Sequence, residues 1–312
     1  MAKPILIVKI KEGLGKVLDV FQGNVFEWQT LSFNRYGIYF VLFFTGFLNT
    51  ACNNTVTITS PKFNSKKPSS VVAPFVSVWR IPADNLSADL PLVDGYEYNF
   101  TVDWGDGSPL SRVVSFDDLN AHHNYSQEGD FIVTIRGQVQ SLNFDSSTNN
   151  AHLKIIEVTD LGNVGWVNLS HAFAGCANLT SFSGGETSSV TDMSSMFEDD
   201  SALVNLDLSS FNTSNVNTMD SMFAQVENLT SLDLSSFDTS KVTNMSHMFY
   251  SATSLVSVNL SSFNTSNVLF MNSMFAGDSS LTTLDLSSFN TSSVLTMNSI
   301  FDGDSSLSTL KL

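Results

Sequence analysis

The sequence Leu-Asp-Leu-Ser-Ser-Phe-Asn-Thr-Ser stands at 206–214 and again at 284–292, with close variants at 232–240 and 258–266. Phe197, Phe223, Phe249, Phe275 and Phe301 succeed one another at a constant interval of 26 residues. A fixed interval of this size confines a chain to stacked copies, each burying its apolar face against its neighbours. Copies begin at Leu153, Leu179, Leu203, Leu229, Leu255 and Leu281, with a partial one from Leu307; the second is two residues short. The divergent first copy, which carries Trp166, is expected to cap the stack. A stack of this kind offers mainly surface, which favours binding over catalysis.

Within one copy the apolar positions are Leu203, Leu206, Leu208, Phe211, Val216, Met219, Met222 and Phe223. Leu206-Asp207-Leu208 alternates with period two and predicts a short strand. Val216, Met219, Met222 and Phe223 fall at i, i+3, i+6 and i+7, which predicts one face of a helix or of tight helical turns. Ser-Phe-Asn-Thr-Ser between them suits a turn and a helix N-cap. The expected copy is strand, turn, helix and return turn, giving an α/β solenoid of leucine-rich-repeat plan with a 26-residue period. The chain stops at Leu312, within a strand of the partial copy; this predicts a truncated product, or an open edge available for self-association.

Charge is distributed unevenly. Residues 1–154 hold 12 Lys/Arg against 14 Asp/Glu, whereas residues 155–312 hold only Lys241 and Lys311 against 16 acids. An acidic, nearly Lys-free array excludes nucleic acid, because phosphate binding needs clustered Lys and Arg. It also argues against docking on anionic lipid headgroups.

Two cysteines exclude a disulfide framework. Cys176 occupies a return turn where other copies have Asp200, Val226, Ala252, Asp278 and Asp304, and reads as a free thiol. Cys52 has a different setting. Residues 36–51 form an uncharged aromatic and aliphatic run, preceded by Arg35 and suited to a signal-peptide core. The run closes on Leu48-Asn49-Thr50-Ala51-Cys52, which resembles a bacterial lipoprotein signal, with Asn49 where that pattern prefers Leu. The resemblance implies lipidation of Cys52 and a place on the bacterial cell surface or envelope. An ordinary cleaved secretory signal is the alternative. Residues 1–52 are thus an extension and signal segment, and 53–73 a polar tether.

Residues 74–145 form a separate unit. Tyr96, Tyr98, Phe100 and Val102 alternate with polar residues, a half-buried strand that runs into Trp104 and a Gly-Asp-Gly-Ser turn. Residues 131–136 form a second strand. Val-Asp-Trp-Gly-Asp-Gly-Ser at 102–108, His-x-Tyr at 123–125 and Glu-Gly-Asp-Phe-x-Val-Thr-Ile at 128–135 together resemble a polycystic-kidney-disease (PKD) type domain, which implies a β-sandwich. Asp103 and Asp106 invite a calcium reading, since hard cations favour carboxylate oxygens. No run of oxygen ligands surrounds them, and a tight turn with Asp103 bonded to its backbone accounts for both. His123 matches a position that is structural in that family.

Phe-Asn-Thr-Ser-Asn-Val-x-x-Met-x-x-Met-Phe at 211–223, with Leu-x-x-Leu-Asp-Leu-Ser-Ser at 229–236, resembles the BspA-like class of leucine-rich repeat over 153–312. That resemblance implies a microbial surface or secreted protein that binds proteins, cells or surfaces.

No enzyme is expected. His122, His123, His152, His171 and His247 are scattered, and neither a Gly-rich phosphate loop nor Cys/His metal spacing occurs. No cofactor is implied. The candidate ligand face consists of the residues flanking the central apolar residue of each strand: Asn205, Asp207, Ser231, Asp233, Ser257, Asn259, Thr283 and Asp285. Stacking would place successive members about 4.8 Å apart, bringing Asp207 beside Asp233. Leu269, Phe270 and Leu295 occupy positions that are polar in neighbouring copies and form a candidate apolar contact patch. The expected function is adhesion to an extracellular protein, with the membrane reached only through the lipid anchor. A glycan-binding accessory protein and a self-associating surface-layer component are the alternatives.

Overall fold

The structure, a computed structural model, describes residues 72–312 and two short strands nearer the N-terminus, β1 (Ile5–Ile7) and β2 (Val20–Gln22), which pair antiparallel. The apolar run at 36–51, Cys52 and the tether as far as residue 71 lie outside the described residues. The chain divides into two compact units, 1–63 and 64–312.

The strands of the second unit are β3 (Phe75–Ile81), β4 (Ser87–Asp89), β5 (Tyr98–Asp103), β6 (Ser111–Val113), β7 (His122–Asn124), β8 (Gly129–Val139) and β9 (Ile155–Asp160). Three-residue strands come next, one per copy: β10 (Ser181–Ser183), β11 (Asn205–Asp207), β12 (Ser231–Asp233), β13 (Ser257–Asn259), β14 (Thr283–Asp285) and β15 (Thr309–Lys311). One sheet of seven strands runs in the order β11-β10-β9-β3-β8-β5-β6, while β4–β7, β12–β13 and β14–β15 form separate pairs.

The segment expected as a β-sandwich contributes the antiparallel part, β3, β8, β5 and β6, to that sheet. Alternation explains it: Tyr98, Phe100 and Val102 are buried, whereas Glu97 and Asn99 are exposed. Gly137 lies at φ +124°, and a Cβ there would stand 2.4 Å from the carbonyl oxygen of Asn99, so only glycine lets β8 approach β5 this closely. The sheet does not end with this segment. β9, the strand of the first copy, pairs antiparallel with β3 on one side and parallel with β10 on the other. The first copy is therefore a splice between antiparallel strands and repeats, which corrects the expected cap. Its Trp166 is buried edge-on against Phe75, with ring centroids 5.8 Å apart, and donates its indole N–H to the Leu161 carbonyl at 3.0 Å.

The α/β solenoid expected for the repeats is overturned. The described residues contain no α-helix, only the 3-10 turns Leu119–Ala121 and Ala151–Leu153, and the repeat strands fall into several sheets. The reason lies in where the backbone N–H groups go. A helix over Val216–Phe223 would send them back four residues. Instead alternate N–H groups leave the copy: Met219 donates to Asn244 O (3.0 Å), Ser221 to Ser246 O (2.9 Å), Phe223 to Met248 O (2.9 Å) and Gln225 to Tyr250 O (2.7 Å). Between them Met222 N–H closes a tight turn on Met219 O at 3.3 Å. This alternation needs a left-handed residue between the two core-facing positions occupied by Met219 and Met222 in one copy and by their equivalents in the others. Ser195, Ser221, His247, Ser273 and Ser299 all lie between φ 51° and 57°, as does His171 in the first copy. That conformation costs roughly 1–2 kcal/mol for a non-glycine residue, and the bonds to the next copy offset it.

The side chains obey the same repeat. Phe144, Phe173, Phe197, Phe223, Phe249, Phe275 and Phe301 form one continuous file of stacked rings, with successive centroids 5.4–6.0 Å apart. The expected N-cap sequence has another task. Thr213 donates its hydroxyl to Asp238 O at 3.0 Å and accepts Asp238 N–H at 2.8 Å, and Thr239 and Thr265 repeat this clamp onto the next copies.

The slot that holds Cys176, Val226 and Ala252 in other copies takes carboxyls in three. Asp200 Oδ1 accepts Cys176 N–H (2.8 Å), Asp278 Oδ1 accepts Ala252 N–H (2.9 Å), and Asp304 Oδ1 accepts Asp278 N–H (3.0 Å). The second oxygen of each is buried without a partner. Burial pushes all three carboxyls up, Asp278 to about 9.

Phe223→Ala, which interrupts the ring file, is expected to cost about 3–5 kcal/mol in denaturant unfolding. Asp278 takes up a proton on folding, so its contribution is full below the ordinary carboxylate range and is lost as pH rises toward about 9. Asp278→Asn removes this, and its stability relative to the parent is expected to rise by up to about 1.4 kcal/mol per pH unit between pH 5 and 8. Parallel stability curves for the two proteins would contradict a buried neutral carboxyl.

Candidate functional site

The residues chosen as a ligand face all lie in strands β11 to β14 and are all exposed, while the apolar residue between each pair points inward and is buried or half-buried. Period two explains this: in a three-residue strand the outer positions share a face. The carboxylates are shaped by their own turns. Asp207 Oδ1 accepts Ser209 N–H (3.0 Å), Asp233 Oδ1 accepts Ser235 N–H (3.0 Å) and Asp285 Oδ1 accepts Ser287 N–H (2.9 Å), while Asn259 does the same for Ser261 (3.2 Å). Hydrogen bonds from those serines hold the Asp207, Asp233 and Asp285 carboxyls below their usual range, with Lys311 adding to the effect at Asp285. The face is therefore anionic at neutral pH.

Its lateral arrangement differs from the expected one. β11 pairs with β10, so that Asp207 stands opposite Ser183; β12 pairs with β13, so that Asp233 stands opposite Asn259. Asp207 and Asp233, expected side by side, lie in strands that do not pair. Each of two acids has a compatible neighbour instead: Asn259 Nδ2 donates to Asp233 Oδ1 at 3.0 Å, and Lys311 Nζ lies 2.9 Å from Asp285 Oδ2.

Leu269, Phe270 and Leu295 are on the turn ladder and not on a helix. Leu269 N–H donates to Thr243 O and Leu295 N–H to Leu269 O, each at 2.8 Å, so the two leucines occupy one position in successive copies. Phe270 bridges between Asn244 and Thr296. Phe270 is 38% and Leu295 69% exposed, against a half-buried Leu269. Leu269 and Leu295 are thus neighbours on the ladder, and Phe270 follows Leu269 in the chain with Thr296 as its own partner.

Asp103 and Asp106 are spent on the turn that they flank. Asp103 Oδ1 accepts Gly105 N–H at 3.0 Å, and Asp106 Oδ1 accepts Ser108 N–H at 2.9 Å. Asp106 Oδ2 lies 2.8 Å from His123 Nε2. His123 is itself stacked on Trp104 (5.0 Å, 10°) and edge-on to Tyr125 (4.6 Å), whose hydroxyl donates to the Trp104 carbonyl at 3.0 Å. Burial pushes the Asp106 carboxyl up, but hydrogen bonds from Ser108 and His123 outweigh it and hold the group at about 2. Gly105, at φ +81°, is required here, since a Cβ would stand 2.5 Å from the Ile132 carbonyl oxygen. This is a structural knot. Among the described residues no group of three or more His, Cys, Asp or Glu is placed to hold a metal ion. Cys176 is fully buried, and burial raises its thiol well above the usual range.

One grouping had no signal in the order of residues. Asp89 and His122, 33 positions apart, meet at 2.6 Å in the lining of a cleft. The nearest legible clue is Phe116 and Leu119, apolar residues flanking Asp117 and Asp118.

Because the Asp106 carboxyl is held low, its contribution is present above the ordinary carboxylate range and is lost as pH falls through about 2. Asp106→Asn is expected to be less stable than the parent at pH 7, with the gap closing on acidification. A gap independent of pH in chemical denaturation would contradict this.

A family model described as "Mycoplasma protein of unknown function, DUF285" matches residues 167–259 and 233–310. No curated protein and no solved structure matches the chain. The repeats are therefore similar to the DUF285 family over the stacked copies, while the antiparallel strands fall outside the match.

Proposed function

We propose that the chain is a non-catalytic binding protein of a bacterial cell surface, which presents the exposed strand face of its repeats to an extracellular protein ligand. The supporting observation is the recurrence of that face. Four successive strands expose polar residues at both outer positions, and the carboxylates among them are fixed by serine N–H groups and stay ionised at neutral pH. Fixed acceptors repeated along an array suit a partner with repeated donors, namely a basic protein segment, and pre-ordered side chains lower the entropic cost of binding. The apolar group formed by Leu269, Phe270 and Leu295 supplies a further, desolvated contact. Attachment through a lipid on Cys52 completes the reading; that residue lies outside the described part of the chain.

The test is binding of the labelled full chain to an array of matrix proteins, host glycoproteins and polysaccharides at physiological salt. Saturable binding to a protein is expected, weakened about tenfold (about 1.4 kcal/mol) by Asp207→Lys or Asp233→Lys. Binding confined to polysaccharides would replace this reading with a glycan-binding one. Absence of binding, with concentration-dependent oligomers in light scattering, would replace it with self-association.

A further inference from the structure

Three segments outside the repeats enclose a cleft of about 290 Å³: the end of β4 and the residues after it, the turn before β7, and residues 146–148. Asp89 ties its walls together. Its Oδ1 lies 2.6 Å from His122 Nδ1, and its Oδ2 accepts hydrogen bonds from Thr148 Oγ1 (3.3 Å) and Asn149 Nδ2. The cleft is thus preformed.

Its rim carries two exposed apolar side chains. Phe116 is 44% exposed and Leu119 89% exposed, two apolar side chains three residues apart on the same turn. The turn is pinned in the conformation that presents them. Asp118 Oδ1 accepts Asn120 N–H (3.0 Å), Asp118 Oδ2 accepts Val114 N–H (2.9 Å), and Asn120 Nδ2 donates to Arg112 O (3.0 Å).

Charge selects the occupant. Asp89, Asp117 and Asp118 line the cleft and no Lys or Arg does. The Asp89 and Asp118 carboxylates are used internally. Asp117 is exposed and engages Ser115 Oγ through one oxygen (2.7 Å), leaving the other to solvent. This lining disfavours an anionic ligand. An apolar shelf beside one available carboxylate matches a side chain with an aliphatic stem and a cationic head.

We propose that this cleft docks a basic peptide segment of a protein partner, with an Arg or Lys stem lying on Phe116 and Leu119 and its cation on Asp117. The class of partner rests on the protein-binding reading above, but the site is separate from the strand face.

The test uses the full chain and a short labelled peptide of alternating Leu and Arg, monitored by fluorescence anisotropy at physiological salt, with a Leu/Glu peptide as control. Saturable binding of the Leu/Arg peptide is expected. Phe116→Ser, Leu119→Ser and Asp117→Lys should each weaken it about tenfold. Leu119 makes little buried contact, so Leu119→Ser keeps the fold, which unchanged circular dichroism would verify. Absence of saturable binding, equal binding of the Leu/Glu peptide, or loss caused only by the strand-face variants would overturn the proposal. The two readings fail separately. A cleft that binds the peptide survives an array experiment without ligands, and a strand face that binds a matrix protein survives a cleft that binds nothing.

Discussion

Backbone N–H groups that donate into the next copy set the character of this molecule. Met219, Ser221, Phe223 and Gln225 each give their N–H to a carbonyl one copy on, and the equivalent residues of the copies from Leu153 to Leu255 do the same. A donor can be used fully only once, so this choice removes the helix and forces a left-handed residue at every Ser221-like position. It also makes the copies mutually dependent, because the alternate N–H groups of each turn ladder find their acceptors only in the next copy. The file of phenylalanine rings from Phe144 to Phe301 and the Thr213-type clamps reinforce the same direction of dependence.

The antiparallel strands and the repeats share this continuity. β9 is flanked by β3 and β10, and the ring file begins at Phe144, before the first copy. The stack therefore starts on a ready-made sheet edge. An end that would otherwise leave N–H and C=O groups open is covered by an antiparallel partner. The two proposed binding surfaces divide accordingly. The strand face belongs to the repeats and depends on the stacking, whereas the cleft around Asp89 is held by loops of the antiparallel part.

Much of this was legible in the order of residues. The 26-residue interval, the short strand at Leu206-Asp207-Leu208 and the exposure of Asp207, Asp233 and Asp285 came from spacing and period-two alternation. The helix did not survive. Val216, Met219, Met222 and Phe223 fit a helical face, and the same spacing fits a chain of tight turns with alternate residues facing the core; hydrophobicity alone cannot separate the two. The serines between the methionines were a weak hint, since they hold a left-handed conformation poorly compared with glycine or asparagine. Asp278 and Asp304 read as return-turn acids, and their burial was hidden by the polar residues around them.

The sequence by itself determined the period, the apolar residues of the core and the acidity of the repeats, because those depend only on composition and spacing. Tertiary structure decided the rest: which donors bond within a copy and which between copies, which strands pair, and where Asp89 meets His122. Those are matters of distance between residues well separated in the chain, 26 positions for Thr218 and Asn244, 33 for Asp89 and His122, and 84 for Val76 and Asp160. A local pattern can state what each segment needs to bury, but only the packed neighbours fix where its hydrogen bonds go.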